Sequence, residues 1–303
     1  MRLRHFDLNL LVALDALLDT KSVTRASERL CIGASATSSA LGRLREHFGD
    51  DLLKQIGRKM ELTPLAQSLV QPVREIILRT QSTLERRAAF DPRKEGRHFV
   101  FNASDYVSTV LMPSLLRHVQ TQAPGMTVDM LSLGDNALEL LDRGEVDFAI
   151  YPDRYASDKH PSLELFEESY SCVVWTGNKF VGDQMTFEQY IDLGHVAARF
   201  GDTRVVSFEG WFLSTFGARR RVEVTASSFN ALPYLVVGTT RIATMHTRLA
   251  MLYSKQLPLR LMKPPVDIPA LKMVLQWHAI NEDDPAHAWM REQIAAMARD
   301  HLR

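Results

Sequence analysis

Between Ala34 and His47 the sequence ASATSSALGRLREH puts Ser35, Ser38, Ser39, Gly42 and Arg43 at one helical spacing, and Thr37, Leu41 and Leu44 at another. Hydroxyl groups both donate and accept hydrogen bonds, and a glycine leaves room for close approach. An arginine fork can bond a phosphate or the edge of a guanine. A slim helix with such a face suits the floor of a DNA major groove. The pattern fits equally well a three-helix packing unit whose outer face is merely solvated.

A second polar group follows. In DDLLKQIGRKMELTP two short extended pieces flank Gly57-Arg58-Lys59, which predicts a hairpin with basic residues at its tip. Ser104, Asp105 and His246 supply the residue types of a hydrolase. The chain nevertheless has no Gly-x-Ser-x-Gly elbow, phosphate-binding loop, dinucleotide fingerprint or His-Glu-x-x-His element, so an enzyme is not expected.

These groups need elements to position them. Phe6, Leu10, Ala13, Leu14 and Leu17 recur at helical spacing. Ser22 is placed to cap a second helix running to about Leu30, and a turn at Cys31 to Gly33 leads into the third. Ala26 and Ser27 are small enough for two helices to cross, while Leu30, Ile32 and Thr37 are expected to seal the inner face. Thr63-Pro64 opens a longer helix in which Leu65, Leu69, Val73, Ile76, Thr80 and Leu84 form a seam that a second copy would cover. Pro72 lies within that seam and is expected to kink it.

DPRKEGR, residues 91–97, reads as a linker. Beyond it HFVFNAS, a helix from Asp105 to Gln122, TVDMLSL, a helix from Ala137 to Arg143 and VDFAIYP alternate, which predicts a parallel sheet. YSCVVWT, HVAARF, RRVEVTA and RIATMHT form a second run. LKMVLQWH and the last helix, Pro285 to Leu302, are expected to return to the first. Two α/β lobes joined by crossing strands leave a cleft at their hinge. The expected division is a winged head at 1–63, a dimerisation helix at 64–90 and a two-lobed domain at 97–303. Within the last, one lobe takes 97–164 and 269–303 and the other 165–268.

Composition sets outer limits. The 303 residues are 46% hydrophobic and 24% charged, with a formal net charge of zero. The charge is unevenly spread: residues 1–97 hold 17 Lys/Arg against 12 Asp/Glu, and residues 98–303 hold 19 against 24, so a polyanion partner is expected at the front. Cys31 and Cys172 are too few for a disulfide framework or metal cluster. No stretch reaches the roughly 18 apolar residues of a membrane span, and the start reads as an amphipathic helix of a cytoplasmic protein.

Four motifs, DLNLLVALDALL, SVTRASERL, LGRLREHFGDDLL and ELTPLA, stand in order within residues 3–66. Together they resemble the winged helix-turn-helix of the LysR-type transcriptional regulators, nearest the branch of nodulation and nitroaromatic- or naphthalene-responsive activators. The resemblance extends over the whole chain. It implies an α/β fold with an N-terminal all-α winged helix-turn-helix, a linker helix and a two-lobed effector domain like a periplasmic binding protein. The implied DNA contacts are Ser35, Ser38, Ser39, Arg43, Lys54, Arg58 and Lys59.

Three departures stand out. Ala34-Ser35 replaces the family's Gln-Pro, Cys31 replaces a turn glycine, and Leu53-Lys54-Gln55 lacks the family's arginine. A left-handed backbone at Cys31 would cost about 1 kcal/mol.

The resemblance further implies an effector cleft between the lobes. Its matching positions are Ser104, Asp105, Tyr106, Tyr151, Pro152, Phe200, Thr203, Ser228, Phe229, Asn230 and His246. Aromatic walls and hydroxyls suit a small aromatic effector, and with no Arg or Lys at the two helix starts a neutral phenol, hydroquinone or catechol is expected over a carboxylate. Tyr151, Phe200 and Phe229 also suit a core, Ser104 and Ser228 a helix cap. The implied partners are double-stranded operator DNA, further copies of the chain as homodimer or homotetramer, and RNA polymerase, in an activator of an aromatic-catabolism operon. No cofactor or metal is implied. The other reading is a solute-binding or ligand-sensing protein of the same two-lobed fold.

Overall fold

The computed structural model describes residues 6–85, 90–134, 136–199 and 208–301. They form two compact units, Met1–Arg86 and Arg87–Arg303.

The first unit runs α1 (Asn9–Thr20), α2 (Val23–Leu30), α3 (Ala34–Phe48), β1 (Leu53–Ile56), β2 (Lys59–Leu62) and α4 (Pro64–Glu85). Its core gathers Leu10, Leu14, Leu17, Ala26, Leu41, Leu44, Leu52 and Leu53. The Ser22 hydroxyl caps α2 by accepting the Arg25 N–H. The helix ends on Cys31 at φ 52°, a left-handed position, and the Ile32 N–H closes back on the Ser27 carbonyl. That turn carries Ile32 outward to 46% exposure, so Leu30 and Thr37 line the inner side without it, contrary to the sequence expectation.

α4 corrects the expected seam. Its Ala66, Leu69, Val70, Val73 and Ile77 pack into the core of the same unit, and the nearly buried Arg74 pairs with Asp15 at 2.8 Å. Ile76 at 46% and Leu84 at 81% exposure remain outside. The stripe is wider than a heptad because the helix belongs to a globule at its start. The helix continues through Pro72 as far as Glu85.

The second unit is built on two five-stranded sheets. Its elements are β3 (His98–Ala103), α5 (Asp105–Val110), α6 (Met112–Gln122), β4 (Thr127–Ser132), α7 (Ala137–Asp142), β5 (Phe148–Pro152), β6 (Ser162–Glu168), β7 (Tyr170–Trp175), α8 (Phe187–Asp192), β8 (Gly194–Ala198), α9 (Phe208–Phe216), β9 (Arg221–Ala226), α10 (Leu232–Val236), β10 (Ile242–His246), α11 (Thr247–Ser254), β11 (Leu259–Met262), β12 (Leu271–Gln276) and α12 (Pro285–His301). The first sheet has the order β4-β3-β5-β12-β6 and the second β11-β7-β10-β8-β9.

β3 is parallel to β4 and β5, as the alternation of strand and helix predicts, but β12 lies antiparallel between β5 and β6, so the sheet is mixed. β12 does return to the first lobe. β6 pairs with β12 from Ser162 to Glu168, which extends the first lobe beyond residue 164. The helix expected over 105–122 is two helices broken at Leu111, because Pro113 has no N–H to bond back toward Thr109. Phe99, Phe148 and Leu275 of the first sheet and Val173, Val196 and Ala243 of the second share one apolar cluster. No helix of the described residues is long and apolar enough to cross a membrane.

Candidate functional site

In the first unit, α3 buries Thr37, Leu41 and Leu44 and exposes Ser35, Ser38, Ser39, Gly42 and Arg43. A Cβ built on Gly42 meets nothing within 4 Å. Packing among the described residues therefore does not demand glycine there, although glycine inside a helix costs about 0.5–1 kcal/mol relative to alanine. The Arg43 guanidinium rests on Asp7 at 3.2 Å, which holds it beside the serines without burying it.

β1 and β2 form an antiparallel hairpin whose turn is Gly57-Arg58, with Gly57 at φ 63°. Lys54, Arg58 and Lys59 are all exposed on it. One residue was missed: Arg45 donates to the carbonyls of Asp51 and Leu53 at 2.8 and 3.1 Å, fastening the base of the hairpin to α3. Asp50 completes the joint by accepting the Thr63 hydroxyl and the Leu52 N–H. Those two bonds, Thr63 first, hold its carboxyl below the usual range.

In the second unit the expected residues fall into three groups. Ser104, Asp105, Tyr106, Ser228, Phe229, Asn230 and His246 come together. The Ser104 hydroxyl caps α5 at the Val107 N–H. Asp105 Oδ2 reaches the other lobe, where it accepts the Ser228 hydroxyl at 2.7 Å and the Asn230 N–H at 2.9 Å. The Asn230 side chain returns the contact by donating to the Asp105 carbonyl and to Thr109 Oγ1. Asp105 Oδ1 is buried with no partner.

His246 is 5% exposed and boxed by rings. Tyr106 stacks on it at 4.0 Å, Tyr170 lies near-parallel at 5.4 Å, and Phe229 meets it edge-on at 4.5 Å. Its Nδ1 has no hydrogen-bond partner. Burial lowers the imidazole to about 3, so it is neutral at ordinary pH. The Tyr106 hydroxyl bonds Glu168, a fully buried carboxylate that also holds Arg248 at 3.2 Å. Burial and Glu168 together push the Tyr106 phenol far up, and it remains a donor. Tyr170, Glu168 and Arg248 escaped the sequence reading. The signal for Glu168 and Tyr170 is the strand boundary between them, where the chain passes between sheets; Arg248, on α11, is tied to it only by its pairing with Glu168.

Tyr151 and Pro152 are not brought into this box. The Tyr151 ring packs with Ala149 and Val274 in a separate cluster, and its hydroxyl bonds Gln276. The reason is strand alternation: Phe148 and Ile150 join the large core, so Tyr151 faces the other way. Phe200 and Thr203 lie outside the described residues. Among those residues no group of three or more His, Cys, Asp or Glu could hold a metal ion.

A helix-turn-helix with a basic wing, followed by two α/β lobes clasped around a boxed histidine, is the architecture of a DNA-binding regulator with a ligand-sensing body. Residues 8–67 match the bacterial regulatory helix-turn-helix proteins of the lysR family and residues 92–299 match the LysR substrate binding domain, so the chain belongs to the LysR family of transcriptional regulators. It is similar to nodulation protein D 1 of Bradyrhizobium sp. (strain NC92), at 40% identity over 99% of this chain and 97% of that protein. Among solved structures it is similar to a probable transcriptional regulator from Pseudomonas aeruginosa, at 31% identity and TM-score 0.66, covering 97% of this chain and 98% of that one. Full-length CbnR complexed with its target DNA shares the fold at 16% identity and TM-score 0.53, covering 97% of this chain and all of that one.

Proposed function

We propose that this regulator is an activator that reads operator DNA with α3 and its wing and answers to a small, uncharged aromatic inducer held between the lobes. Ser35, Ser38, Ser39 and Arg43 face the groove in this reading, and Lys54, Arg58 and Lys59 meet phosphates. The observation that carries the inducer is His246, a buried neutral imidazole walled by three rings with one ring nitrogen left unbonded. Rings stack on an aromatic ligand, and an unbonded nitrogen asks for one hydrogen bond from it.

The controlled genes would then degrade a phenol, a hydroquinone or a chlorinated relative. The chain would act in the cytoplasm as a homodimer or homotetramer, paired through exposed positions of α4, and recruit RNA polymerase. That CbnR, which shares the fold, is found complexed with its target DNA supports the DNA-reading part of the proposal. The nodulation relatives favour a second reading of the target genes, in which the same inducer class switches a nodulation operon.

The test is nuclease protection of the DNA upstream of neighbouring genes, with and without catechol and hydroquinone. A neutral phenol is expected to change the protected region, and His246→Phe to keep operator binding while losing that change. An identical footprint across the whole panel would remove the inducer reading.

A further inference from the structure

The two oxygens of Asp105 are used unequally. Oδ2 is committed to lobe II through Ser228 and Asn230, and Oδ1 is buried without a partner among the described residues. A carboxylate oxygen offers only lone pairs, so whatever satisfies Oδ1 must bring an O–H or N–H. The second unpartnered atom of the same cleft, His246 Nδ1, belongs to a ring that carries no charge.

Arg248, the cation that borders the ring box through Glu168 and Tyr106, is already paired with the buried Glu168. The backbone N–H of Asn230, which could have met an incoming anion, already holds Asp105. Among the described residues no cation pairs with Asp105, so its negative charge stands where an acidic ligand would have to sit. A like charge in a partly dry site is strongly unfavourable.

Resting on the inducer reading above, we propose that Asp105 is the specificity-determining residue of the cleft. Its Oδ2 clasps lobe II, its unpartnered Oδ1 accepts a hydrogen bond from a hydroxyl of an uncharged effector, and its charge turns carboxylates away. The clasp and the selection are separable. Ser228 supplies a donor and no charge, whereas Asp105 supplies both acceptor and charge. Removing the Ser228 hydroxyl loosens the clasp and leaves the selection intact, while neutralising Asp105 removes the selection.

The experiment is calorimetric titration of the full-length chain with catechol and with benzoate, in the wild type, Asp105→Asn and Ser228→Ala, each checked for an unaltered far-ultraviolet spectrum. Wild type is expected to bind catechol at least about tenfold more tightly than benzoate. Asp105→Asn is expected to shrink that ratio by about tenfold, chiefly by admitting benzoate, and Ser228→Ala to preserve it. Equal affinity in the wild type, or an unchanged ratio in Asp105→Asn, overturns the proposal. Binding of neither probe overturns it too. A footprint that responds to benzoate would sink the role of Asp105 and leave the ligand-responsive regulator standing, whereas a footprint that responds to neither removes both.

Discussion

Gly42 weakens the helix it sits in, and no neighbour among the described residues needs the space its missing side chain leaves. Gly42→Ala is therefore expected to raise the stability of the head by about 0.5–1 kcal/mol in denaturant unfolding. The same change should lower operator affinity, because a methyl then stands between helix and groove. A variant that gains stability and binds as before would leave the glycine without a role. Cys31 is the converse case, a residue with a Cβ at φ 52°. Cys31→Gly should stabilise the head by about 1 kcal/mol, visible as a higher melting temperature, with operator binding unaltered. Arg43→Ala should weaken operator binding by about 1–3 kcal/mol if it reads a base, with the fold unchanged.

At this scale the head was legible in its sequence, because its exposed and buried faces follow one helical period. The clasp was not. Asp105 and Ser228 were both singled out, but 123 residues separate them and no local pattern says that they bond each other. Of the ring box around His246, Tyr106 and Phe229 were named only through the resemblance and Tyr170 was missed, since the three come from distant segments.

Among elements, α4 shows how a period can be read correctly and the surface it covers be misjudged for part of its length. Leu69 looks like a seam residue, yet it packs into the core beside Val73. Full burial of a leucine side chain is worth roughly 1.5–3 kcal/mol and Leu69 is half-buried, so Leu69→Lys is expected to cost the head itself a part of that. Ile76 and Leu84 are the exposed positions of the same helix. Replacing both by Lys should yield monomers in light scattering with the head still folded by circular dichroism. Retention of the oligomer would move the pairing surface elsewhere. The strands that were read stand in their correct order, but β6 and β11 were missed, and β12 runs antiparallel to both β5 and β6, a direction that hydrophobic alternation does not encode.

For the whole molecule the buried histidines set a pH dependence. His195 and His246 are both held at about 3, against an ordinary 6.5, first by burial and at His195 also by repulsion from Arg220. Below pH 6.5 the unfolded chain takes up protons that the folded chain refuses. The stability these groups contribute is therefore complete above 6.5 and falls as the pH drops toward 3, by up to about 1.4 kcal/mol per unit for each histidine. Urea unfolding at pH 7.5, 6 and 5 should show that decline, and His195→Gln with His246→Phe should flatten it. A midpoint that stays constant from 7.5 to 5 would contradict the burial of both rings.

The return of β12 fixes the order in which the polypeptide can finish itself on the ribosome. Residues 6–85 close their own core early, but the sheet begun at His98 keeps an open gap between β5 and β6 until residues 271–276 emerge. The sensing body is thus completed last, and a nascent chain halted before residue 271 would carry a finished DNA reader with an unzipped sensor.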